Sequence, residues 1–149
     1  MIVREARHKD FRHMTFKETE VAGLVEIEQE IIAAIGNSGS NARTLVAEGP
    51  GKTVVGIFGV TILRPGVGHA WSLLGEDFRA HARETTDTIR DLIEDVQKRE
   101  RLRRIDMTCR AEPARFENWG IRLGFEREGL LRCYGPDNED YLVMSRVWT

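Results

Sequence analysis

The sequence predicts one α/β domain of the α+β kind built on a mixed sheet, and three observations carry that prediction. Short apolar and β-branched runs are joined by tight Gly- and Pro-containing turns, and one long amphipathic stripe stands between two of these runs. The 149 residues are 41% hydrophobic and 31% charged, enough chain for a single domain, 1–149, with its own core.

The elements follow in order. Ile2-Val3-Arg4-Glu5-Ala6 reads as a short strand, and Asp10 can accept hydrogen bonds from the open amides of a helix starting near Phe11. Val21, Leu24, Val25, Ile31, Ile32 and Ile35 recur at three and four residues and mark the apolar face of a second helix, which Gly36-Asn37-Ser38-Gly39-Ser40-Asn41 ends. Thr44 to Ala47 and Thr53 to Leu63 form a hairpin around the turn Gly49-Pro50-Gly51-Lys52. A second turn, Arg64 to Gly68, leads to a strand from His69 to Leu74. Ile89, Leu92, Ile93 and Val96 then make a helical stripe opposite Arg90, Asp91, Glu94, Asp95 and Lys98. Ile105 to Cys109 is a strand, and Pro113 to Leu123 a helix with proline in its first turn and Gly124 at its end. A last hairpin pairs Gly129 to Tyr134 with Tyr141 to Trp148.

Composition narrows the function. A net charge of −2 does not indicate a nucleic-acid binder, and no run approaches the roughly 18 apolar residues of a membrane span. The polar N-terminus is unlike a signal peptide, so the expected compartment is the cytoplasm. Cys109 and Cys133 form no C-x-x-C pair and read as reduced core thiols. His8, His13, His69 and His81 lack zinc-ligand spacing, so no metal is implied. Gly51-Lys52-Thr53 imitates the end of a P-loop, but Val46 stands where that motif needs glycine and a strand follows where it needs a helix. Arg99, Arg101, Arg103 and Arg104 form a basic cluster, read as a solvated face or a phosphate contact. Trp71 and Trp119 read as core residues, and Trp148 as a cap on the sheet edge or a partner contact.

Three motifs bring a family into view. Val3-Arg4-x-Ala6 with Asp10, Leu45-Val46-Ala47-Glu48 followed by a Gly turn and Val54-Val55-Gly56, and Leu123-Gly124-Phe125-x-x-Glu128-Gly129-x-Leu131-Arg132-x-Tyr134 occur in the order and spacing of the N-acetyltransferase (GNAT) superfamily. The chain resembles that family over nearly its whole length. Gly68-x-Ala70-Trp71 and Trp119-x-x-x-Leu123-Gly124-Phe125 also resemble small GNAT-like proteins encoded by bacteriophages, some of them virion-associated.

The resemblance implies a mostly antiparallel sheet of six to seven strands with helices on both faces. The strands at His69 to Leu74 and Ile105 to Cys109 should be adjacent and parallel, with the long helix as a right-handed crossover. It also implies acetyl-CoA as co-substrate, held at Leu73, Leu74, Arg79, Ala80, His81, Ala82 and Arg83. Amides at a helix N-terminus attract an anion, and Arg79 keeps the leading basic position of the family's glycine-rich loop. Ala80 and Ala82 replace its glycines and Glu84 its final small residue, so the same stretch also reads as a solvated first turn. The usual tyrosine acid is missing, because its position is Gly120. Tyr134 is the substitute acid and Glu28 the candidate base. Two functions stand open: acyl transfer to an amine of a small molecule or protein, or a non-catalytic structural or interaction role, as a homo-oligomer or within a virion.

Overall fold

The computed structural model describes residues 1–6 and 42–149. Both helices expected before Asn41 lie outside the described residues, as does Glu28.

Seven strands form one sheet in the order β1-β2-β3-β4-β5-β7-β6: β1 Ile2–Glu5, β2 Ala42–Glu48, β3 Val54–Arg64, β4 Val67–Leu74, β5 Arg104–Arg110, β6 Glu126–Leu131 and β7 Tyr141–Val147. Every neighbouring pair is antiparallel except β4 with β5. That parallel pair is adjacent and its connection contains α1, Ala82–Glu100, as expected. A second helix, α2, spans Arg115–Arg122 between β5 and β6.

Strand parity sorts the core. Leu45, Ala47, Phe58, Val60, Ala70, Ile105 and Met107 join Ile89, Leu92, Ile93 and Val96 of α1 and Leu123 after α2 in one cluster. Val46, Val54, Ile57 and Leu73 form a second cluster with partly buried Trp71. β2 and β3 are therefore buried on both faces, which explains their near-continuous apolar sequence. Burying Phe58 or Phe125 contributes about 1.5–3 kcal/mol.

Local signals set the ends. Gly66 takes φ +85° in the β3–β4 turn, and Arg103 donates from its amide to the Gly66 carbonyl at 2.9 Å and from its guanidinium to the Pro65 carbonyl at 3.1 Å. This seats the turn against the start of β5. α1 stops at Arg101, whose φ of 53° is left-handed, and the Gln97 side chain closes the end by donating to the Leu102 carbonyl at 3.0 Å. Gly124 ends α2 at φ +93°.

Several expectations need correction. α2 begins at Arg115, so Pro113 precedes the helix rather than occupying its first turn. β6 starts at Glu126 and ends at Leu131, three residues before Tyr134. The reason is local: Cys133 has φ 53°, its amide donates to the Asp140 carboxylate at 2.9 Å, and the loop closes on Gly135 donating to the Glu139 carbonyl at 3.0 Å. Cys133 is exposed rather than a core thiol, while Cys109 is half-buried. Trp71 and Trp119 are only partly buried. In the basic cluster, Arg104 is the first residue of β5 and is paired with Glu128. Trp148 lies beyond the interior strand β7 rather than at a sheet edge: its amide donates to the Arg103 carbonyl at 2.9 Å and the Arg146 guanidinium lies over its ring.

Candidate active site

β4 and β5 pair over three rungs only, Val67 with Arg104, Gly68 with Ile105 and His69 with Asp106. Beyond them β4 runs on to Leu74 and β5 to Arg110 with no further pairing between them. The strands splay, and a cleft of about 740 Å3 opens in the gap. Its floor is apolar, from Ile89, Leu92 and Ile93 of α1 together with Met107. Its rim carries polar and aromatic groups from three other places: His69 and Trp71 on β4, Trp119 on α2, and Tyr134, Asp137 and Glu139 on the β6–β7 hairpin. A concave, mostly apolar space with a few converging polar groups has the form of a small-molecule site.

The aromatic side of the cleft is fixed by α1. Trp119 donates from its indole N–H to Thr86 Oγ1 at 3.0 Å, and Thr86 in turn donates to the Ala82 carbonyl at 2.5 Å. The Trp119 ring meets Phe78 edge-on with centroids 5.8 Å apart. The next residue, Gly120, faces the core instead. A Cβ there would stand 2.6 Å from the Met144 sulfur, so a side chain at position 120 would meet β7 rather than the cleft.

The predicted site residues fall in three groups. Leu73, Leu74 and Tyr134 line the cleft. Tyr134 is 57% exposed, and its ring packs on Tyr141 with centroids 5.2 Å apart. Arg79, Ala80 and His81 lie in a 3-10 turn, Glu76–His81, that follows β4, while Ala82 and Arg83 open α1. These five stand past the end of β4 rather than on the cleft wall. Glu28 is outside the described residues.

Two further titratable groups in the cleft are shifted. Burial pushes the Cys109 thiol up, helped by the nearby Glu117 carboxylate, and burial also pushes the Tyr141 hydroxyl up, with Glu139 adding to it. Both are thereby held in their neutral forms. His69 also lines the cleft, a place its sequence context does not signal. Its Nδ1 lies 2.7 Å from Asp106 Oδ1, a contact between residues 37 apart in sequence. Only the strand register makes it, so zinc-type spacing could not have revealed it. The described residues contain no group of His, Cys, Asp or Glu that could hold a metal ion.

No protein-family model and no curated protein matches the sequence. Solved structures do match. Ribosomal-protein-alanine N-acetyltransferase from Brucella melitensis superposes with a TM-score of 0.72 at 18% identity, covering 99% of this chain and 100% of that one. A mutant spermidine N-acetyltransferase SpeG from Vibrio cholerae matches with a TM-score of 0.68 at 14% identity over 99% and 95%. RimL, a ribosomal L7/L12 alpha-N-protein acetyltransferase in complex with coenzyme A, matches with a TM-score of 0.70 at 14% identity over 97% and 92%. At such identities the likeness shows the fold, and the fold is that of the GNAT N-acetyltransferases.

Proposed function

We propose that this GNAT-fold chain moves an acyl group from acyl-CoA to an amine acceptor. The observation that carries the reading is the splay of β4 from β5 over a preformed cleft. Backbone groups of β4 beyond His69 that point toward β5 have no ladder partner there, so an extended amide-bearing ligand can pair with them as an added strand would. The pantetheine arm of coenzyme A is such a ligand. Leu73 and Leu74 lie along this edge, and Arg79 with the amides of Ala80 to Arg83 stands where the strand ends and α1 begins, a suitable place for its phosphates.

Acyl-CoA supplies a thioester whose carbonyl is open to attack by an amine and whose thiolate can leave. The chain's part is to hold the reactants together and manage protons. The apolar floor excludes water, and Asp137 and Glu139 on the hairpin place carboxylates at the rim where a cationic amine would enter. Tyr134 at the same rim is the candidate acid for the leaving thiolate. An amine of a small molecule or of a protein fits this rim.

A GNAT-fold module without acyl transfer is the competing reading. Ala80, Ala82 and Glu84 favour it, since two methyl groups and a carboxylate stand at the proposed phosphate cradle. Calorimetric titration with acetyl-CoA separates the two. Binding is expected, with Arg79→Ala weakening it by ~1.5–3 kcal/mol, roughly ten- to hundredfold in Kd, and Glu84→Gln tightening it. No binding at millimolar acetyl-CoA would leave only the non-catalytic reading, and folded variants that change nothing would remove the phosphate cradle from the site.

A further inference from the structure

We propose that His69 is the general base of this site and that Asp106 is the positioning residue that makes it one. The inference rests on the acyl-transfer reading. It begins with where the pair stands: His69 and Asp106 form the last hydrogen-bonded rung of β4 and β5, at the apex from which the strands diverge, and His69 lines the cleft. Alternation along β4 puts His69 on the face of Trp71 and Leu73, opposite Ala70 and the two described helices. Asp106 lies between the core residues Ile105 and Met107 and so shares the face of His69.

Proton inventory then fixes the roles. A carboxylate only accepts hydrogen bonds, so the 2.7 Å contact requires Nδ1 to carry the hydrogen. In a neutral imidazole that leaves the Nε2 lone pair as the basic site. Among the described residues Nε2 has no hydrogen-bond partner, and the His69 side chain is 32% exposed. The second Asp106 oxygen accepts from Arg104 Nε at 3.3 Å, and Arg104 is itself held by Glu128 through contacts of 2.7 and 3.1 Å. The carboxylate is thus held from two sides, by His69 and by Arg104.

Among the described residues that line the cleft, the thiol and the Glu139 carboxylate are engaged, and Asp137 stands exposed on the β6–β7 hairpin. The Cys109 thiol is pushed up by burial and donates to Met144, and the Glu139 carboxylate accepts from the Asp137 amide at 2.8 Å and pairs with Arg110. Arg110 and Arg115 cannot accept a proton. In the proposed step His69 Nε2 takes one proton from the acceptor ammonium. The freed nitrogen lone pair forms the C–N bond as the C–S bond breaks, and the sulfur leaves with that bond's electron pair. Products are the amide and, once the sulfur is protonated, the free thiol; the remaining amine proton passes to solvent.

The test uses 15N-histidine NMR on the full chain together with steady-state assays, with acetyl-CoA as donor and spermidine and a peptide with an N-terminal alanine as acceptors. The His69 ring should show a protonated Nδ1 and an unprotonated Nε2, and Asp106→Asn should disturb that tautomer whether or not acetyl-CoA is present. His69→Gln should lower kcat by about 10²–10⁴-fold while the Kd for acetyl-CoA stays within about threefold. Asp106→Asn should lower kcat with the same Kd, and added imidazole should restore part of the turnover lost in His69→Ala. An Nε2–H tautomer, or wild-type kcat in folded His69→Gln, overturns the base assignment alone. Absence of turnover of both acceptors by a wild-type chain that binds acetyl-CoA overturns the acyl-transfer reading, and the base assignment falls with it.

Discussion

In β2 and β3 both faces of the sheet are apolar: Leu45, Ala47 and Phe58 point to the described helices, and Val46 and Ile57 are fully buried on the other side. β5, β7 and β6 keep only the first of these faces apolar, through Ile105, Met107, Leu142 and Met144. Their other face carries His69's partner Asp106, then Arg104, Ser145 and Glu128 in a connected polar row. Glu128 is the extra residue of a bulge between Arg127 and Gly129, and from there it reaches across β7 to Arg104 while Ser145 donates to it at 2.6 Å. The seam between the two halves is the β4–β5 pair, the one place where the sheet opens. Apolar packing covers both faces on one side of that seam, and on the other side ionic groups hold a carboxylate in place on one face.

The largest effect should therefore come from the doubly buried half. Phe58→Ala should cost about 3–5 kcal/mol and Ile57→Ala about 2–5 kcal/mol, since each removes fully buried atoms that the surrounding strands cannot collapse around. Urea unfolding measures both, as a lower midpoint with unchanged slope. A loss below about 1 kcal/mol in Ile57→Ala would mean that the second face is not a packed core, and the contrast between the halves would fail.

Much of this division is legible in the sequence. Thr53 to Leu63 reads as a strand because it is rich in β-branched and apolar residues, and the stripe of Ile89, Leu92, Ile93 and Val96 gives the long helix between two strands, whose parallel pairing the family resemblance implies. What escapes is whatever depends on register or on single backbone angles. Tyr134 leaves its strand because Cys133 turns left-handed, a choice that asparagine or glycine would have signalled and cysteine does not. The His69–Asp106 contact depends on which rung of a parallel pair is shared, and neither strand's own pattern encodes that. Gly120 marks close helix-to-strand packing, but a lone glycine in a helix does not say what it faces.

That glycine gives a sharper and smaller test on the apolar face of the second half. Gly120→Leu should destabilise by about 1–3 kcal/mol, because the added carbons meet the Met144 sulfur and the Met107 methyl in a filled core. Met144→Ala should be destabilising alone yet recover part of the Gly120→Leu loss when the two are combined, a coupling that a double-mutant cycle reads directly. Strict additivity would place the two residues out of contact.

The smallest effect belongs to the ionic face, and its signature is pH rather than size. Arg104 holds the Glu128 carboxyl below the usual glutamate range through its hydrogen bonds, with the Ser145 hydroxyl adding to it. On the opposite, helix-covered face Arg127 does the same for Glu117, donating at 2.5 and 2.9 Å between β6 and α2. A carboxyl depressed in the folded state binds fewer protons there than in the unfolded chain. Stability must then rise with pH across the interval between the two values. The contribution is fully present above the ordinary glutamate value and is lost as pH falls through the lower, folded one. Both pairs are solvent-accessible, so screening by salt should shrink the effect further. Glu117→Gln combined with Glu128→Gln should unfold earlier than wild type at neutral pH, and the two melting curves should converge as the solution is acidified. A gap that persists unchanged to pH values below the folded carboxyls would show that glutamine fails by shape alone. The charged row would then be a packing surface, and the restraint it places on Asp106 would have to come from elsewhere.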